Sequence, residues 1–430
     1  LLLEEQDLVA AALQYSDGDE LVARIAASAR VVAYLSDEAW RFIDTKSDDE
    51  ENAEIAVAGL KIKNNEIVIT GDPGTDPLLI LHAARAAAQQ GMPIARSSLE
   101  RLSERQEDLP DPWPHGAKEL FVELLRSGQQ AIPVIESLDF YEVWTRLIPE
   151  WEPNRSRPQR NVYHRFTVDR HLLETVAEAA RLTQRVQRPD LLLLSALLHD
   201  VGKGYAGDHS EVGMRLIEKI ALRCGFPDVD VRILVRLVEH HLLLPDVATR
   251  RDIDDEQTLA LVAESVESVE FLELLDALTE ADSIATGPLA WGDWKAKLLE
   301  SLTKSTAEYI SGSGIQFLNR RSFVTEDIET LMSEGGTRIA AELDVLTIVA
   351  PDQSGVFSRA AGALALSGLD ILQADAYSSA AGMAASQFRI ASPLGSKDWA
   401  PVIEDVKSSL VGRLAIDARI AQRSKVYKRR

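Results

Sequence analysis

Six of the chain's eight histidines fall between residues 164 and 241, and four of these six occupy positions suited to binding a divalent metal. His171 is followed by the pair His199-Asp200 and then by the pair His240-His241. Neutral imidazole and carboxylate are the usual protein ligands of a catalytic transition-metal ion. The cluster therefore predicts a divalent-metal site that assists hydrolysis.

Three predicted helices would deliver the first set of ligands. His199-Asp200 ends an apolar run typical of a core helix, and His171 lies near the start of a helix whose apolar residues recur at a spacing near 3.6. Asp282 lies at the end of a third helix. We therefore predict one metal shell from these four residues. The three helices are predicted at residues 191–198, 168–186 and 268–282.

A second ion is a further expectation. Asp200 has two carboxylate oxygens and would bridge to an ion held by His209, His240 and His241. Ions ~3.5 to 4 Å apart are common in phosphatases and nucleases. Adjacent residues on a helix point about 100° apart, so the alternative is that His240 or His241 binds substrate or packs instead. The sequence leaves one or two ions open.

Three stretches around these ligands resemble the HD domain of bacterial PII uridylyltransferase/uridylyl-removing enzymes. The resemblance implies removal of UMP, or of AMP in some lineages, from a tyrosine of the PII signalling protein. Mn²⁺ or Mg²⁺ is the expected cofactor, with Fe and Zn as alternatives. The stretches are Val162-Tyr-His-Arg-Phe-Thr-Val-Asp-Arg-His171, Ala196-Leu-Leu-His-Asp-Val-Gly-Lys-Gly204 and Gly207-Asp-His-Ser-Glu-Val-Gly213.

Three residues in or beside the predicted metal shell are predicted to act on the substrate. Lys203, four residues after His199, would lie beside the metal and stabilise the phosphoryl oxygens. The resemblance gives His164 a role in contacting the leaving group or orienting a ligand. Asp200 is expected to serve catalysis as well as metal binding.

Composition narrows the class of partner. The formal net charge of −22 over 430 residues argues against nucleic-acid binding, because affinity for phosphate backbones comes chiefly from Lys and Arg. No apolar run approaches the ~20 residues that span a bilayer, and no signal peptide is visible. The single cysteine, Cys224, fits a reducing compartment. We expect a cytoplasmic protein that binds a metabolite or another protein, without nucleic-acid or membrane contact.

The predicted fold class is multidomain and mostly α, with a C-terminal α+β ferredoxin-like ACT domain. The resemblance implies that the first part is the helical segment that joins nucleotidyltransferase and HD modules. The nucleotidyltransferase signature is missing from the sequence, so no nucleotide transfer is expected.

A hairpin is predicted around Asn64-Asn65. The predicted boundaries are 1–150 (helical domain), 151–161 (connector), 162–310 (HD domain), 311–342 (connector with a helix near 325–333) and 343–430 (ACT domain).

The order βαββαβ after residue 343 resembles an ACT domain, a small ligand-sensing module. The resemblance implies glutamine or another small amino acid as the regulatory ligand and a homodimer paired through the ACT unit. Asp370 stands where ACT domains often carry Asn, so glutamine binding stays open. The candidate ligand residues are Asp352, Gly355, Gly368 and Asp370, and the strands are predicted at 345–350, 372–377, 384–390 and 413–419.

Two other functions compete with this hypothesis. One is a small-nucleotide phosphohydrolase acting on a substrate like guanosine tetraphosphate, although such proteins place their HD module first. The other is a non-catalytic HD/ACT scaffold that senses a ligand and controls a partner. Retention of His171, Asp200 and Asp282 argues against the scaffold.

Overall fold

Two units emerge from the contacts within the chain, Leu1–Ile315 and Gln316–Arg430. The first is almost entirely helical and the second is α+β, which confirms the predicted fold class. No helix in the described part of the chain has the length and apolarity needed to cross a bilayer. The computed structural model describes residues 3–44, 53–54, 57, 59–105, 107–161, 163–253, 255–312, 324–353, 355–379, 381–391 and 399–413.

The first unit contains fifteen labelled helices and one small sheet among its described residues. The helices are α1 Leu3–Ala12, α2 Gly18–Asp44, α3 Leu79–Gln90, α4 Arg96–Arg105, α5 Ala117–Arg126, α6 Ala131–Phe140, α7 Trp144–Leu147, α8 Val168–Leu182, α9 Pro189–Leu198, α10 His209–Arg223, α11 Asp228–His240, α12 Leu243–Arg250, α13 Glu256–Val266, α14 Val269–Thr286 and α15 Asp293–Ile310. The strands are β1 Ala53–Glu54, β2 Leu60–Lys63 and β3 Glu66–Ile69.

The predicted hairpin is confirmed. Strands β2 and β3 pair antiparallel, and Asn64 and Asn65 connect them. Both asparagines have positive φ, 52° and 59°. This is the backbone of a two-residue turn that matches the twist of paired strands and that asparagine tolerates well.

Helix α9 lies at the centre of the helical unit. Its eight residues from Leu191 to Leu198 are all buried, as expected for a helix that is apolar on every side. Helices α8, α11 and α14 pack against it, and α8 packs against α14 as well. The carboxyl end of α9 therefore opens among helices that also carry histidines and a carboxylate.

The segment Pro149–Asn154, a short 3-10 helix, supports the turn that follows α9. Its Asn154 is fully buried and donates from Nδ2 to the carbonyl of Val201 at 2.8 Å. Glu150 accepts two hydrogen bonds from Arg223 on α10, at 2.9 and 2.6 Å. These contacts fix the turn at Val201–Gly204 and the helix α10 against the preceding helical segment.

The second unit is a four-stranded antiparallel sheet in the order β4-β5-β7-β6 with helices on both faces, an arrangement consistent with an ACT-like domain. Leu346, Ile348 and Phe388 point to the face covered by α17 and α18, whereas Val349 and Ala385 point to α16. The elements are α16 Glu326–Glu334, β4 Arg338–Glu342, β5 Val345–Pro351, α17 Val356–Leu366, β6 Ile371–Ser378, β7 Met383–Ile390 and α18 Ala400–Leu410.

Strand β4 was not predicted from the sequence. Residues 338–342 fall within the predicted connector, yet they form a hairpin with β5 and cover its outer edge. Only Ile339 and Ala341 alternate inward, so the apolar pattern is too weak to predict a strand. The fourth strand predicted at 413–419 lies outside the described residues, apart from Arg413.

Candidate metal centre

Five elements bring the predicted ligands to the carboxyl end of α9. His171 lies in the first turn of α8, and Asp282 lies in the last part of α14. His199 and Asp200 directly follow α9, whereas His209 opens α10 and His241 follows α11. Asp208 caps α10 by accepting the backbone N–H groups of Ser210 and Glu211, which fixes the start of that helix.

The first ligand group consists of His171, His199 and Asp282. Asp282 Oδ1 lies 3.0 Å from His171 Nε2 and 3.5 Å from His199 Nε2. Each residue offers one ligand atom, and the three atoms lie within 4.8 Å of one another. Both histidines are fully buried, so their orientation is set by core packing.

The second ligand group consists of Asp200, His209 and His241, with its ligand atoms also within 4.8 Å. Asp200 Oδ1 lies 3.7 Å from His241 Nε2 and 4.0 Å from His209 Nε2. Its other oxygen, Oδ2, lies 3.4 Å from His199 Nε2. Asp200 therefore presents one oxygen to each group, which is the geometry of a bridging carboxylate.

The ring nitrogens of these histidines fit metal ligands. Nδ1 of His199 faces the carbonyl of Ala196 at 3.1 Å, and Nδ1 of His241 faces that of Val238 at 2.6 Å. A proton on Nδ1 leaves the Nε2 lone pair free for a metal. Nε2 of His171 and His199 and Oδ1 of Asp200 are buried without a hydrogen-bond partner in the described part of the chain, although buried polar atoms are ordinarily paired.

The carboxylates give the centre a strong preference for positive charge. Burial alone would lower the pKa of His199, but Asp200 and Asp282 outweigh it and raise that pKa to about 10. Burial would raise the pKa of both carboxyls, yet His199 and, for Asp200, Lys203 hold them well below the usual value. The same two carboxylates that favour a proton on His199 would also attract a metal ion. Metal binding would therefore compete with protonation of this ring.

Lys203 and His164 lie at the border of the centre. Lys203 Nζ is 2.6 Å from Asp200 Oδ2 and also donates to Gln159 at 2.8 Å. The ring of His164 packs edge-on against that of His171, with centroids 5.2 Å apart. Burial, together with the nearby Lys203, lowers the pKa of His164 to about 4, so its ring is neutral at pH 7.

His240 is not brought into either group. Its ring packs edge-on against Phe271, with centroids 6.4 Å apart, and its Nε2 lies 3.7 Å from Glu239. The adjacent His241 points into the centre and is only 3% exposed. The two histidines thus diverge as the helical geometry requires.

Gly202 explains the close approach between the turn after α9 and the start of α10. A Cβ atom at this position would lie 2.0 Å from the carbonyl oxygen of His209 and 2.7 Å from the backbone nitrogen of Gly213. Only glycine fits. This contact joins the segment that carries Asp200 to the segment that carries His209.

Lys295 is a residue that sequence reasoning missed. It lies in the first turn of α15, and its Nζ donates to the carbonyl of Ala290 at 3.0 Å and to Ser283 Oγ at 3.4 Å. Burial lowers its pKa, against the effect of Asp282 and Asp246. Its place 13 residues after Asp282 gives no periodic signal, because residues 287–292 between α14 and α15 form a loop.

The candidate regulatory residues of the second unit lie in two separate places. Gly355, with φ of 89°, begins α17, and Asp352 precedes it. Gly368 and Asp370 follow the other end of the same helix, which is about 16 Å long. Asp352 and Asp370 are both exposed. A single unit therefore does not gather all four residues around one ligand.

Comparisons with known proteins find an HD domain in this part of the chain. Residues 168–280 match the HD domain family. The bifunctional uridylyltransferase/uridylyl-removing enzyme of Streptomyces coelicolor is 37% identical over 502 aligned residues, covering 100% of this chain and 60% of the relative. Its namesake from Mycobacterium tuberculosis is 37% identical, covering 98% and 53%. The Corynebacterium glutamicum namesake is 38% identical, covering 56% and 34%. The chain thus spans about 60% or less of the length of these relatives.

Proposed function

The chain contains an HD domain and is homologous along its whole length to bifunctional uridylyltransferase/uridylyl-removing enzymes, and on this basis we propose that it is a metal-dependent phosphodiesterase of the uridylyl-removing type. Its substrate is a nucleotidyl-tyrosine of the PII signalling protein, and the released product is UMP or AMP. The main support for this proposal is that two three-residue ligand groups lie side by side, with one oxygen of Asp200 facing each group.

We assign some of these residues as metal ligands and others as substrate-binding residues. His171, His199 and Asp282 would hold one ion, and His209 and His241 would hold a second with Asp200 between them. When bound, divalent metal supplies Lewis-acid activation of the phosphoryl oxygen and lowers the pKa of a water molecule. Mn²⁺ or Mg²⁺ suits the carboxylates, and the imidazoles also suit Fe and Zn.

Lys203 would place its ammonium group next to the phosphoryl oxygens. It already touches Asp200, so its charge lies at the edge of the metal centre rather than in solvent. His164 would meet the leaving group as a neutral ring. Its Nδ1 is buried without a hydrogen-bond partner in the described part of the chain, which leaves one polar contact for substrate.

We propose that the second unit regulates the hydrolase activity. Its sheet and the glycine turn before α17 support an ACT-like sensor for glutamine or another small amino acid. Because Gly355 and Gly368 lie at opposite ends of α17, a complete ligand site would need a second copy of the unit. This supports a homodimer formed through the ACT sheet. The cytoplasmic location expected from the sequence remains part of the proposal.

The decisive experiment incubates the purified chain and Mn²⁺ or Mg²⁺ with uridylylated PII, adenylylated PII and guanosine tetraphosphate, and measures released nucleotide by chromatography. Metal-dependent release from a PII form is expected. Asp200→Ala should abolish it, whereas Asp228→Ala, which removes an exposed carboxylate at the start of α11, should not. Cleavage of guanosine tetraphosphate alone would favour the small-nucleotide hydrolase. No cleavage of any substrate would favour the scaffold.

A further inference from the structure

Lys295 lies in the first turn of α15, next to the end of α14 that carries the metal-ligand candidate Asp282. Its Nζ donates to Ser283 Oγ, and Ser283 directly follows the metal-ligand candidate Asp282. Its other acceptor is the carbonyl of Ala290 in the loop between α14 and α15. Helix α15 packs along α14, so the position of the ammonium group relative to Asp282 is set by two packed helices.

No carboxylate contacts Lys295 directly among the described residues, although Asp282 and Asp246 lie near enough to favour its charge. Nζ forms no ion pair with any carboxylate among the described residues, and both of its hydrogen-bond acceptors are neutral oxygens. Lys203 differs, because Asp200 lies 2.6 Å from its Nζ. An ammonium group has three N–H donors, so Lys295 retains one donor for a further acceptor. Holding a half-buried cation without a counter-ion costs free energy unless an anion joins it.

We propose that Lys295 Nζ forms an anion subsite at the metal centre, which binds a non-bridging phosphate oxygen of the substrate phosphodiester and of the nucleoside monophosphate product. The proposal rests on the proposed phosphodiesterase function. The two lysines differ in their contacts: Lys203 forms an ion pair with Asp200, whereas Lys295 has only neutral hydrogen-bond acceptors and a third donor for the phosphate.

A purely structural role for Lys295 is the competing explanation. Its hydrogen bond to Ala290 would tether the loop that ends α14. Lys295→Gln separates the two roles, since an amide keeps a donor for that carbonyl and loses the charge. Lys295→Arg keeps the charge. Lys297→Gln removes the same charge from an exposed position on the same helix and is the matched control.

The test measures binding of UMP and of inorganic phosphate to the Mn²⁺-loaded chain by calorimetry. Lys295→Gln should weaken both by about tenfold to a hundredfold, as expected for loss of a charge-assisted hydrogen bond. Metal content should stay at the wild-type level. Lys295→Arg should recover most of the affinity, and Lys297→Gln should match wild type. Unchanged affinity in Lys295→Gln, or no binding of either anion to wild type, would overturn the proposal.

A second measurement needs no variant and so does not depend on how a mutant folds. The wild-type chain is treated with an amine-acetylating reagent with and without UMP, and modification is read by mass spectrometry. UMP should protect Lys295 severalfold and leave Lys297 unprotected. Equal modification of Lys295 in both samples would refute the subsite.

The two proposals fail separately. If Lys295 proves necessary for UMP binding but PII releases no nucleotide, the anion subsite stands and the PII substrate is wrong. If PII releases UMP while Lys295→Gln binds UMP as wild type does, the function stands and the subsite is wrong.

Discussion

His240 and His241 are adjacent histidines in different surroundings, and this makes them a matched pair for testing the second ligand group. His241→Ala removes one of three protein ligands and leaves Asp200 and His209. Loss of a partner outside the ligand shell already costs about 10- to 100-fold in metal affinity. Loss of a ligand itself is expected to weaken binding of one ion by at least that factor. His240→Ala removes a ring that packs on Phe271, so metal affinity should be unchanged.

Each variant would be loaded with Mn²⁺, desalted and analysed for metal by mass spectrometry, and Mn²⁺ would then be titrated by calorimetry. Wild type and His240→Ala are expected to retain two ions, and His241→Ala one. Far-UV circular dichroism controls for folding. Equal metal content in His241→Ala and wild type, or a greater loss in His240→Ala, would refute the assignment of the second group.

Three further predictions concern the framework of the site. Glu150→Ala leaves the Arg223 side chain, which is only 11% exposed, without its carboxylate partner, so the free energy of unfolding in urea should fall by about 3–5 kcal/mol. A loss below about 1 kcal/mol, typical of exposed pairs, would contradict this. Burial alone would raise the pKa of Glu150, but hydrogen bonds from Arg223 lower it, so this stabilisation is present above pH ~4.3 and disappears as pH falls through the lowered pKa. Urea titrations of wild type and Glu150→Ala should therefore converge in acid. Gly202→Ala should sharply reduce Mn²⁺ retention, because its Cβ would collide with the backbone of His209, whereas Gly225→Ala meets no atom within 4 Å and should retain both ions despite its strained φ of 84°. Burial raises the pKa of the Cys224 thiol to about 12, so a thiol reagent at pH 8 should modify it only after denaturation; rapid labelling of native protein would contradict its buried position.

Local chemistry made much of this protein predictable from its sequence. The apolar run of α9 predicts a core helix, and the helix is buried on every side. Asn64-Asn65 predicts a tight hairpin, which both positive φ angles confirm. The ligand types and their order predict a metal site, and two clusters of suitable atoms occur among the described residues.

Other features could not be predicted from the sequence because they depend on packing between distant segments. Strand β4 has a weak apolar pattern and forms only because β5 offers an edge. Lys295 follows a loop, so its approach to Ser283 depends on how α15 packs along α14. No spacing rule relates such residues.

The sequence by itself determined which side chains are available for metal and phosphate chemistry, because imidazole and carboxylate carry their ligand properties wherever they lie. Only the tertiary structure decided how they are divided: Asp200 turns one oxygen to each group, His241 points inward, and His240 points away to Phe271. The physical reason is that a ligand must point towards the metal, and side-chain direction depends on packing. A helix fixes the angle between neighbouring side chains, but the packing of α11 against α9 selects which of them faces the centre.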